Sequence, residues 1–344
     1  MVEIDGSQKS GSGTILRLAI ALAAVNREPL HIYNIRANRP KQGLKPQHLE
    51  AVLTAAKLCN AEVKGAKLGS KELWFKPKRV VAGNFVAKIG TAGSIPMLLL
   101  AILPICIFAK EKVNIHVKNG GTDVSNSPTI NYLGKVFFSA LNQMGVQVTL
   151  NVKKYGYYPK GMGEAIMQIN PPQSLQPIQL TDFGKLKCVQ GISVCTFLEH
   201  RKVAERQAEA ASEYLSKRGC EVDIQIINDR SNPFQKGSSI TLWAETDTKT
   251  IVGADAIGAP KETSETVGKK AAEKLYAEIC RKPTVDVHLA DMLVPYIAFA
   301  RGTSSFLAKE ISEHLETNIW LLEKMLKTRF EIQKMNDLFR IVKK

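Results

Sequence analysis

Residues 311–326, ISEHLETNIWLLEKML, carry apolar side chains at every third or fourth position between Leu315 and Leu326. That spacing is the period of a half-buried helix, and Ser312, directly ahead of it, is suited to cap the helix N-terminus. His314 therefore falls in the first turn, where free backbone N–H groups and the helix dipole favour anions. Taken alone, this segment is more simply interpreted as a helix that carries an exposed or capping histidine.

The order of elements around this helix occurs three times along the chain. Helix, strand, helix and hairpin are predicted in residues 14–78, again in residues 91–170 and again in residues 285–342. The strings QHLE (47–50) and EHLE (313–316) both open the second helix of their units. The sequence thus predicts an α/β (α+β) fold of three repeated units, each a small sheet with two helices.

A segment of different character, residues 183–282, separates the second unit from the third. Its patterns predict a strand, a helix, three strands and a helix, and Pro171-Pro172 and Lys282-Pro283 mark its approximate limits. We expect a smaller α/β domain inserted into a large domain that comprises residues 1–182 and 283–344, because insertions into surface loops are well tolerated.

The charge of the chain favours polyanionic partners. Its 344 residues carry a formal net charge of +15, which suits nucleic acid, nucleotide or an anionic membrane surface, although solubility alone is a competing explanation. The longest apolar run, residues 95–109, contains Pro96 and Pro104 and is shorter than a membrane span requires. A buried helix is the preferred interpretation, and no membrane partner is expected.

The cysteines indicate an intracellular protein. The six form no C-x-x-C pair and show no spacing with histidines that suits zinc, so they are interpreted as reduced, mostly buried thiols. The N-terminus, MVEID, has no secretory signal. The expected localisation is cytoplasmic.

The loop at residues 34–48, NIRANRPKQGLKPQH, is the strongest candidate for an anion site. Ten consecutive residues of this loop, 36–45, contain four cationic side chains and no acidic one. Arg36 and Arg39 can make bidentate contacts with phosphate. A solvated charged loop is the alternative, but this loop occupies the same place in its unit as the loop before His314.

Two further strings are weaker signals. Residues 5–14, DGSQKSGSGT, join a short strand to a helix and are rich in glycine, but they lack the spacing of a Walker A loop, and an ordinary turn is an equally good interpretation. Residues 288–292, HLADM, open the first helix of the third unit. Asp291 could accept hydrogen bonds from an adenine or ribose, or it could be a helix-start aspartate without a ligand.

Several strings together resemble the RNA 3'-terminal phosphate cyclase family. They are IDGS (4–7), TILR (14–17), IRANRP (35–40), GLKPQHL (43–49), TAGS (91–94), GGT (120–122) and GYYPKGMG (156–163). The resemblance covers essentially the whole chain, including the inserted segment. It implies three similar α/β units and a smaller inserted α/β domain.

The same resemblance implies an enzyme of the ligase type that uses ATP to convert an RNA 3'-phosphate to a 2',3'-cyclic phosphate. His314 would be the nucleophile: it would attack the α-phosphorus of ATP, release pyrophosphate and carry AMP covalently. AMP would then pass to the RNA 3'-phosphate, and the 2'-hydroxyl would close the ring. The implied co-substrate is ATP, the implied partner is an RNA with a 3'-phosphate end, and a divalent cation, Mg or Mn, would assist. The oligomeric state and the natural RNA remain open.

The family pattern also implies roles for residues around His314. ATP-binding residues would be His288, Leu289, Ala290, Asp291 and Met292, with Pro128 nearby. Phosphate- and RNA-binding residues would be Arg17, Arg36, Arg39, Lys45, Gln47 and His48. Metal ligands cannot be assigned in the same way.

Three positions depart from that pattern. Ser10 stands where the family usually has a glutamate that is implicated in metal and phosphate contacts, and Leu100 replaces a common glutamine. The adenosine-pocket string begins with His288 instead of an aromatic residue and ends in Met292 instead of glutamine. These changes leave open the metal ligands and the strength of ATP binding.

Two other functions compete with the cyclase. One is a non-catalytic RNA-binding or ribosome-assembly homologue, which the charge and the changed residues favour; relatives of that kind lack the nucleophile, whereas this chain retains His314. The other is an enolpyruvyl transferase, since that group also uses repeated α/β units. The strings HLETN (314–318) and YYPKG (157–161) argue against it.

Overall fold

The first repeated unit shows the arrangement that the other two repeat. A computed structural model describes residues 1–344. The elements of the first unit are β1 (Val2–Asp5), α1 (Gly13–Asn26), β2 (Leu30–Tyr33), α2 (Pro46–Cys59), β3 (Glu62–Lys64) and β4 (Leu73–Lys76). The sheet has the order β1-β2-β4-β3, with β1 parallel to β2 and the other pairs antiparallel. The predicted helices and strands of this unit are confirmed to within a few residues.

The second unit has the same topology. Its elements are β5 (Gly83–Lys88), α3 (Ile95–Cys106), β6 (Val113–Gly120), α4 (Ile130–Tyr132), a π-helical turn (Leu133–Phe137), α5 (Phe138–Gln143), β7 (Gln147–Lys154) and β8 (Gly163–Asn170). The sheet order is β5-β6-β8-β7, again with the first pair parallel. The helix predicted from residue 91 begins only at Ile95, because the Ser94 side chain accepts a hydrogen bond from the Met97 N–H and caps the helix there.

The third unit is interrupted by the inserted segment. It opens with β9 (Gln179–Leu180) and continues with α8 (Val287–Phe299), β14 (Ser304–Ala308), α9 (Glu313–Leu326), β15 (Phe330–Met335) and β16 (Leu338–Lys343). Its sheet order is β15-β16-β14-β9, and β9 is parallel to β14. The insertion therefore lies inside the third unit, after its first strand, and the expectation that it lies between the units was wrong. A strand of two residues has no periodicity from which it could be recognised.

The inserted segment has the predicted order of elements. They are β10 (Leu186–Thr196), α6 (Val203–Ser216), β11 (Val222–Asp229), β12 (Gly237–Thr246), β13 (Ile251–Ile257) and α7 (Ser264–Arg281). Its sheet has the order β11-β10-β12-β13, and an apolar cluster of 15 buried residues joins that sheet to α6 and α7. The exact limits of the two domains stay a prediction.

The three units share one hydrophobic core. A single cluster of 74 buried residues includes side chains from every unit. Helix α1 packs against α3 and α9, and α9 packs against α8. Since the helices meet one another in the interior, the loops that enter their N-termini are brought together. The very apolar α3 is buried, as predicted, and no helix has the length and apolarity needed to cross a membrane.

Buried Asp286 connects three parts of the chain. Its carboxylate accepts hydrogen bonds from the Tyr132 hydroxyl (2.7 and 2.9 Å) and from the backbone N–H of Gly253 (2.8 Å), His288 (3.0 Å) and Leu289 (3.0 Å). Tyr132 belongs to the second unit, Gly253 to the inserted segment and Asp286 to the third unit. Burial raises the pKa of Asp286, and these donors offset part of that cost.

Candidate active site

The helix N-termini of all three units open into one cleft of about 1300 Å³. The first unit contributes the start of α1 and the basic loop before α2, and the second contributes the start of α3 and the loop before α4. The third contributes one face of α8 and the first turns of α9, and the inserted segment contributes part of the opposite wall. The corresponding strand-to-helix junctions of the three units therefore converge in the folded chain.

Most of the residues expected at the site line this cleft. They are His314, His288, Asp291, Met292, Pro128, Arg17, Arg36, Arg39, Lys45, Gln47 and His48. Leu289 and Ala290 do not line it, because both are fully buried in the core. On a helix, residues 288, 291 and 292 share one face, whereas residues 289 and 290 point away from it.

His314 lies half-buried in the cleft, one residue into α9. Its Nδ1 is 3.4 Å from the Thr14 hydroxyl oxygen, which also accepts a hydrogen bond from Nη2 of Arg17 at 3.2 Å. Burial lowers the pKa of His314, and the nearby Arg17 cation lowers it further. A lowered pKa favours the neutral imidazole, whose unprotonated ring nitrogen has a free lone pair.

Cations without acidic partners form one wall of the cleft. Burial lowers the pKa of Arg17 to about 10, with a further contribution from Arg36 and Arg39. Arg36 donates from Nη1 to the carbonyl oxygens of Lys41 (2.7 Å) and Gly43 (2.9 Å), so its guanidinium also holds the basic loop in shape. None of these cations makes an ion pair with an acidic side chain. Uncompensated positive charge of this kind favours an anionic ligand.

Gln47 and His48 are held at the start of α2. The Gln47 carbonyl oxygen Oε1 accepts a hydrogen bond from the Ser94 N–H at 2.7 Å, which links the first unit to the second. Burial, with the neighbouring cations, lowers the pKa of His48 to about 2, and its Nδ1 has no hydrogen-bond partner in the protein. A Cβ at Gly13 would lie 2.4 Å from Nε2 of His48. The absence of a side chain at residue 13 thus allows His48 to pack against α1.

Asp291 connects the predicted adenosine pocket to the His314 helix. Its carboxylate accepts a hydrogen bond from the Ser312 hydroxyl, and its backbone carbonyl accepts one from the Asn318 amide at 2.7 Å. Burial raises the pKa of Asp291 to about 6. Met292 and Leu100, two of the departures noted above, line the same cleft.

At position 10, where the resemblance implied a glutamate, the structure has a serine hydroxyl close to a second hydroxyl. Ser10 is buried, its hydroxyl lies 3.0 Å from that of Ser12, and its N–H donates to the Thr317 hydroxyl at 3.3 Å. No three His, Cys, Asp or Glu side chains in the structure are placed to hold a metal ion together. The chain therefore has no metal site built from three such side chains, whereas a divalent cation that is bound mainly by the phosphates of ATP needs fewer protein ligands.

Several lining residues were missed in the sequence. The inserted segment supplies Asp255, Ile257 and Lys274, and the loop after β7 supplies Tyr158. Asp255 could have been noticed as the only charged residue in the strand string IVGADAI (251–257). Lys274 gives no such signal, because it occupies an ordinary exposed position on a helix.

The fold and the cleft together define a class of protein. Its members would have three βαβαββ units around a shared core and a histidine at the N-terminus of a helix, in a strongly cationic cleft. The model of the RNA 3'-terminal phosphate cyclase family matches residues 8–332. The chain belongs to that family.

Proteins named RNA 3'-terminal phosphate cyclase are similar to this chain over nearly its full length. The one from Pyrococcus abyssi is 43% identical over 332 residues, covering 96% of this chain and 95% of its own. The one from Pyrobaculum aerophilum is 42% identical, covering 96% and 94%. The one from Methanosarcina barkeri is 42% identical over 343 residues, covering 99% of both chains.

Proposed function

We propose that this protein converts an RNA 3'-phosphate to a 2',3'-cyclic phosphate at the expense of ATP, through an adenylylated His314. The observation that carries the proposal is a histidine in the first turn of a helix, in a cleft lined by cations that have no acidic partner; burial lowers the pKa of this histidine. The names of the relatives support the substrate class.

In the first step His314 acts as the nucleophile. With the ring proton on Nδ1 donated to the Thr14 hydroxyl, Nε2 carries the free lone pair. Nε2 attacks the α-phosphorus of ATP, a P–N bond forms, and the bond to the β-phosphate oxygen breaks. Pyrophosphate leaves with that electron pair, and the cations of the cleft stabilise its charge.

In the next steps AMP moves to the RNA and is then expelled. An oxygen of the RNA 3'-phosphate attacks the adenylyl phosphorus, and the P–N bond breaks to return His314 to its starting form. The neighbouring 2'-hydroxyl then attacks the 3'-phosphorus, loses its proton to solvent, and displaces AMP to leave the cyclic phosphate. Arg39 and Lys45, both exposed in the cleft, are proposed to contact the RNA phosphate. The same role is proposed for Arg17, Arg36, Gln47 and His48 at deeper positions.

The adenosine of ATP is assigned to His288, Asp291, Met292 and Pro128, which line the cleft. Leu289 and Ala290 lie behind them in the core. No step is assigned to a protein-bound divalent cation; a cation that enters with ATP would be held chiefly by its phosphates.

The test is protein adenylylation with α-labelled ATP, in the presence of magnesium or manganese. The wild-type protein is expected to retain label through denaturation, and His314→Ala is expected to retain none. His31→Gln is a matched control, since His31 lies on the sheet of the first unit and does not line the cleft. Label on His314→Ala, or no label on the wild type with either metal, contradicts the proposal.

The residue at position 10 is tested by a third variant. Ser10→Glu restores the carboxylate that the family usually has. If its adenylylation rate exceeds that of the wild type, the serine marks a weakened site; an unchanged rate indicates that other groups perform the role of the glutamate.

A non-catalytic RNA-binding homologue is the second candidate. The observation in its favour is the pair of hydroxyls at Ser10 and Ser12, at the position where the resemblance implied a carboxylate. It predicts salt-sensitive RNA binding that does not depend on ATP, together with the absence of adenylylated protein.

A further inference from the structure

Two loops at the edge of the cleft are fastened to each other. We refer to residues 155–163 and 230–237 as the aromatic rim. The Asn232 side-chain amide donates to the carbonyl oxygens of Tyr155 (2.6 Å) and Gly161 (3.0 Å). The Gln235 amide donates to the carbonyl oxygen of Tyr158 (3.1 Å) and accepts from the Lys160 N–H (3.2 Å). The second unit and the inserted segment are therefore joined at this edge.

Packing also fixes the backbone of the rim. Tyr155 and Tyr157 are buried, at 8% and 3% exposure. A Cβ at Gly237 would lie 2.2 Å from Cγ of Tyr157, so the Tyr157 ring lies directly against the backbone at the start of β12. Tyr158 thus projects from a segment held on both sides.

Two aromatic side chains of the rim are exposed. Tyr158 is 78% exposed and lines the cleft, and Phe234, on the facing loop, is 58% exposed. Aromatic side chains exposed at the edge of a cleft offer faces on which bases can stack. Because the backbone that carries them is already held in place, little backbone freedom is lost on binding.

The charge around the rim suits nucleic acid. No acidic residue occurs between Lys153 and Gly163 or between Arg230 and Gly237. Lys160 and Lys236 are exposed, and neither makes an ion pair. Aromatic rings interleaved with free lysines are the combination that binds unpaired bases and their phosphates.

We propose that the aromatic rim is a stacking platform for the bases of the RNA strand upstream of its 3' end, with Tyr158 as the principal contact. The proposal rests on the proposed function, since it takes RNA as the molecule whose end enters the cleft. Because Tyr158 itself lines the cleft that would receive the 3' end, the strand would run from the rim into the cleft. Stacking accepts any base, so the rim would add affinity without adding sequence preference.

The test is an abasic scan of RNA binding. Short fluorescent oligonucleotides with a 3'-phosphate, each lacking one base at a stated distance from the 3' end, are titrated with wild type, Tyr158→Ala and Tyr158→Trp. Phe108→Ala is the control, because Phe108 is also an exposed aromatic residue, at 41%, but does not line the cleft. Thermal unfolding of each variant establishes that it is folded.

Tyr158→Ala is expected to bind intact RNA about tenfold more weakly than wild type, and Tyr158→Trp and Phe108→Ala about as tightly. With the base removed at the contacted position, wild type and Tyr158→Ala are expected to bind equally. A weakening that is the same for intact and abasic RNAs, or no weakening of intact RNA, overturns the platform. Failure of the cyclase proposal is recognised separately, because it removes protein adenylylation and leaves this binding comparison measurable.

Discussion

The reactivity of His314 depends on neighbours that belong to another unit. Thr14 and Arg17 lie on α1, about three hundred residues earlier in the chain. The packing of α1 on α9 brings the Thr14 hydroxyl to His314, and Arg17 donates a hydrogen bond to that hydroxyl. Thr14 orients the ring, and Arg17 makes its protonation less favourable. A histidine that stays neutral can act as a nucleophile over a wider range of pH.

This electrostatic arrangement predicts how the rate of adenylylation falls at low pH, the acid limb of the pH–rate profile. Because burial and the Arg17 cation lower the pKa of His314, the loss of rate with falling pH is expected at a lower pH than for an ordinary imidazole. Arg17→Gln removes one cause of the lowered pKa, so its limb should move to higher pH. The measurement is the adenylylation rate from pH 5 to 8. ATP itself titrates nearby, and therefore the difference between the two proteins is the relevant quantity.

A matched lysine provides the control for this profile. Lys153→Met also removes one positive charge, but Lys153 is exposed and lies outside the cleft lining. Its acid limb is expected to coincide with that of the wild type. If Arg17→Gln leaves the limb in place, the neutrality of His314 does not depend on Arg17.

At the scale of a single element, the N-terminus of α9 is stabilised by a residue that also serves the cleft. The Ser312 hydroxyl oxygen accepts from the Leu315 N–H at 2.9 Å, while its proton is donated to the buried carboxylate of Asp291. One side chain therefore caps the helix that presents His314 and satisfies a carboxylate on α8.

Substitution of this cap is expected to cost more than an ordinary cap does. Ser312→Ala should lower the free energy of unfolding by about 2–3 kcal/mol, because it removes both the cap and the donor to Asp291. Thr263→Ala, at the exposed N-cap of α7, should lower it by about 1 kcal/mol. Urea unfolding of both variants compares the two. Equal losses would show that the bond to Asp291 contributes nothing to stability.

At the scale of the whole molecule, the three units and the inserted segment are joined by buried polar contacts as well as by the common core. Asp286 accepts donors from the second unit and from the inserted segment. The rim described above joins the same two parts at another place. Unfolding of one part would expose buried polar groups of the next, so we expect the chain to unfold with strong coupling between its parts.

The Asp286 contact can be tested against a tyrosine that lacks a partner. Tyr132→Phe removes the hydroxyl that donates to Asp286 and should lower the free energy of unfolding by about 1–3 kcal/mol. Tyr296→Phe should be neutral or slightly stabilising, because the fully buried Tyr296 hydroxyl has no hydrogen-bond partner in the protein. Chemical denaturation measures both. A similar effect of the two substitutions would contradict a specific role for the Tyr132 bond.

The periodicity of apolar residues was sufficient to predict most elements and the threefold repeat, because burial of one helix or sheet face imposes a pattern that is local in sequence. It failed for short strands such as β9, whose pairing with β14 depends on a distant partner. It also failed at the start of α3, which begins at Ile95, after the Ser94 cap, and not at residue 91.

By itself, the sequence determined the class of fold, the basic loop and the position of His314 at a helix start, since each depends on residues that are adjacent in the chain. Only the tertiary structure decided which side chains share the cleft. It turned Leu289 and Ala290 into the core, brought Asp255 and Tyr158 to the wall, and placed Thr14 beside His314. Those contacts depend on how the helices pack across hundreds of residues, and no local pattern of amino acids records that packing.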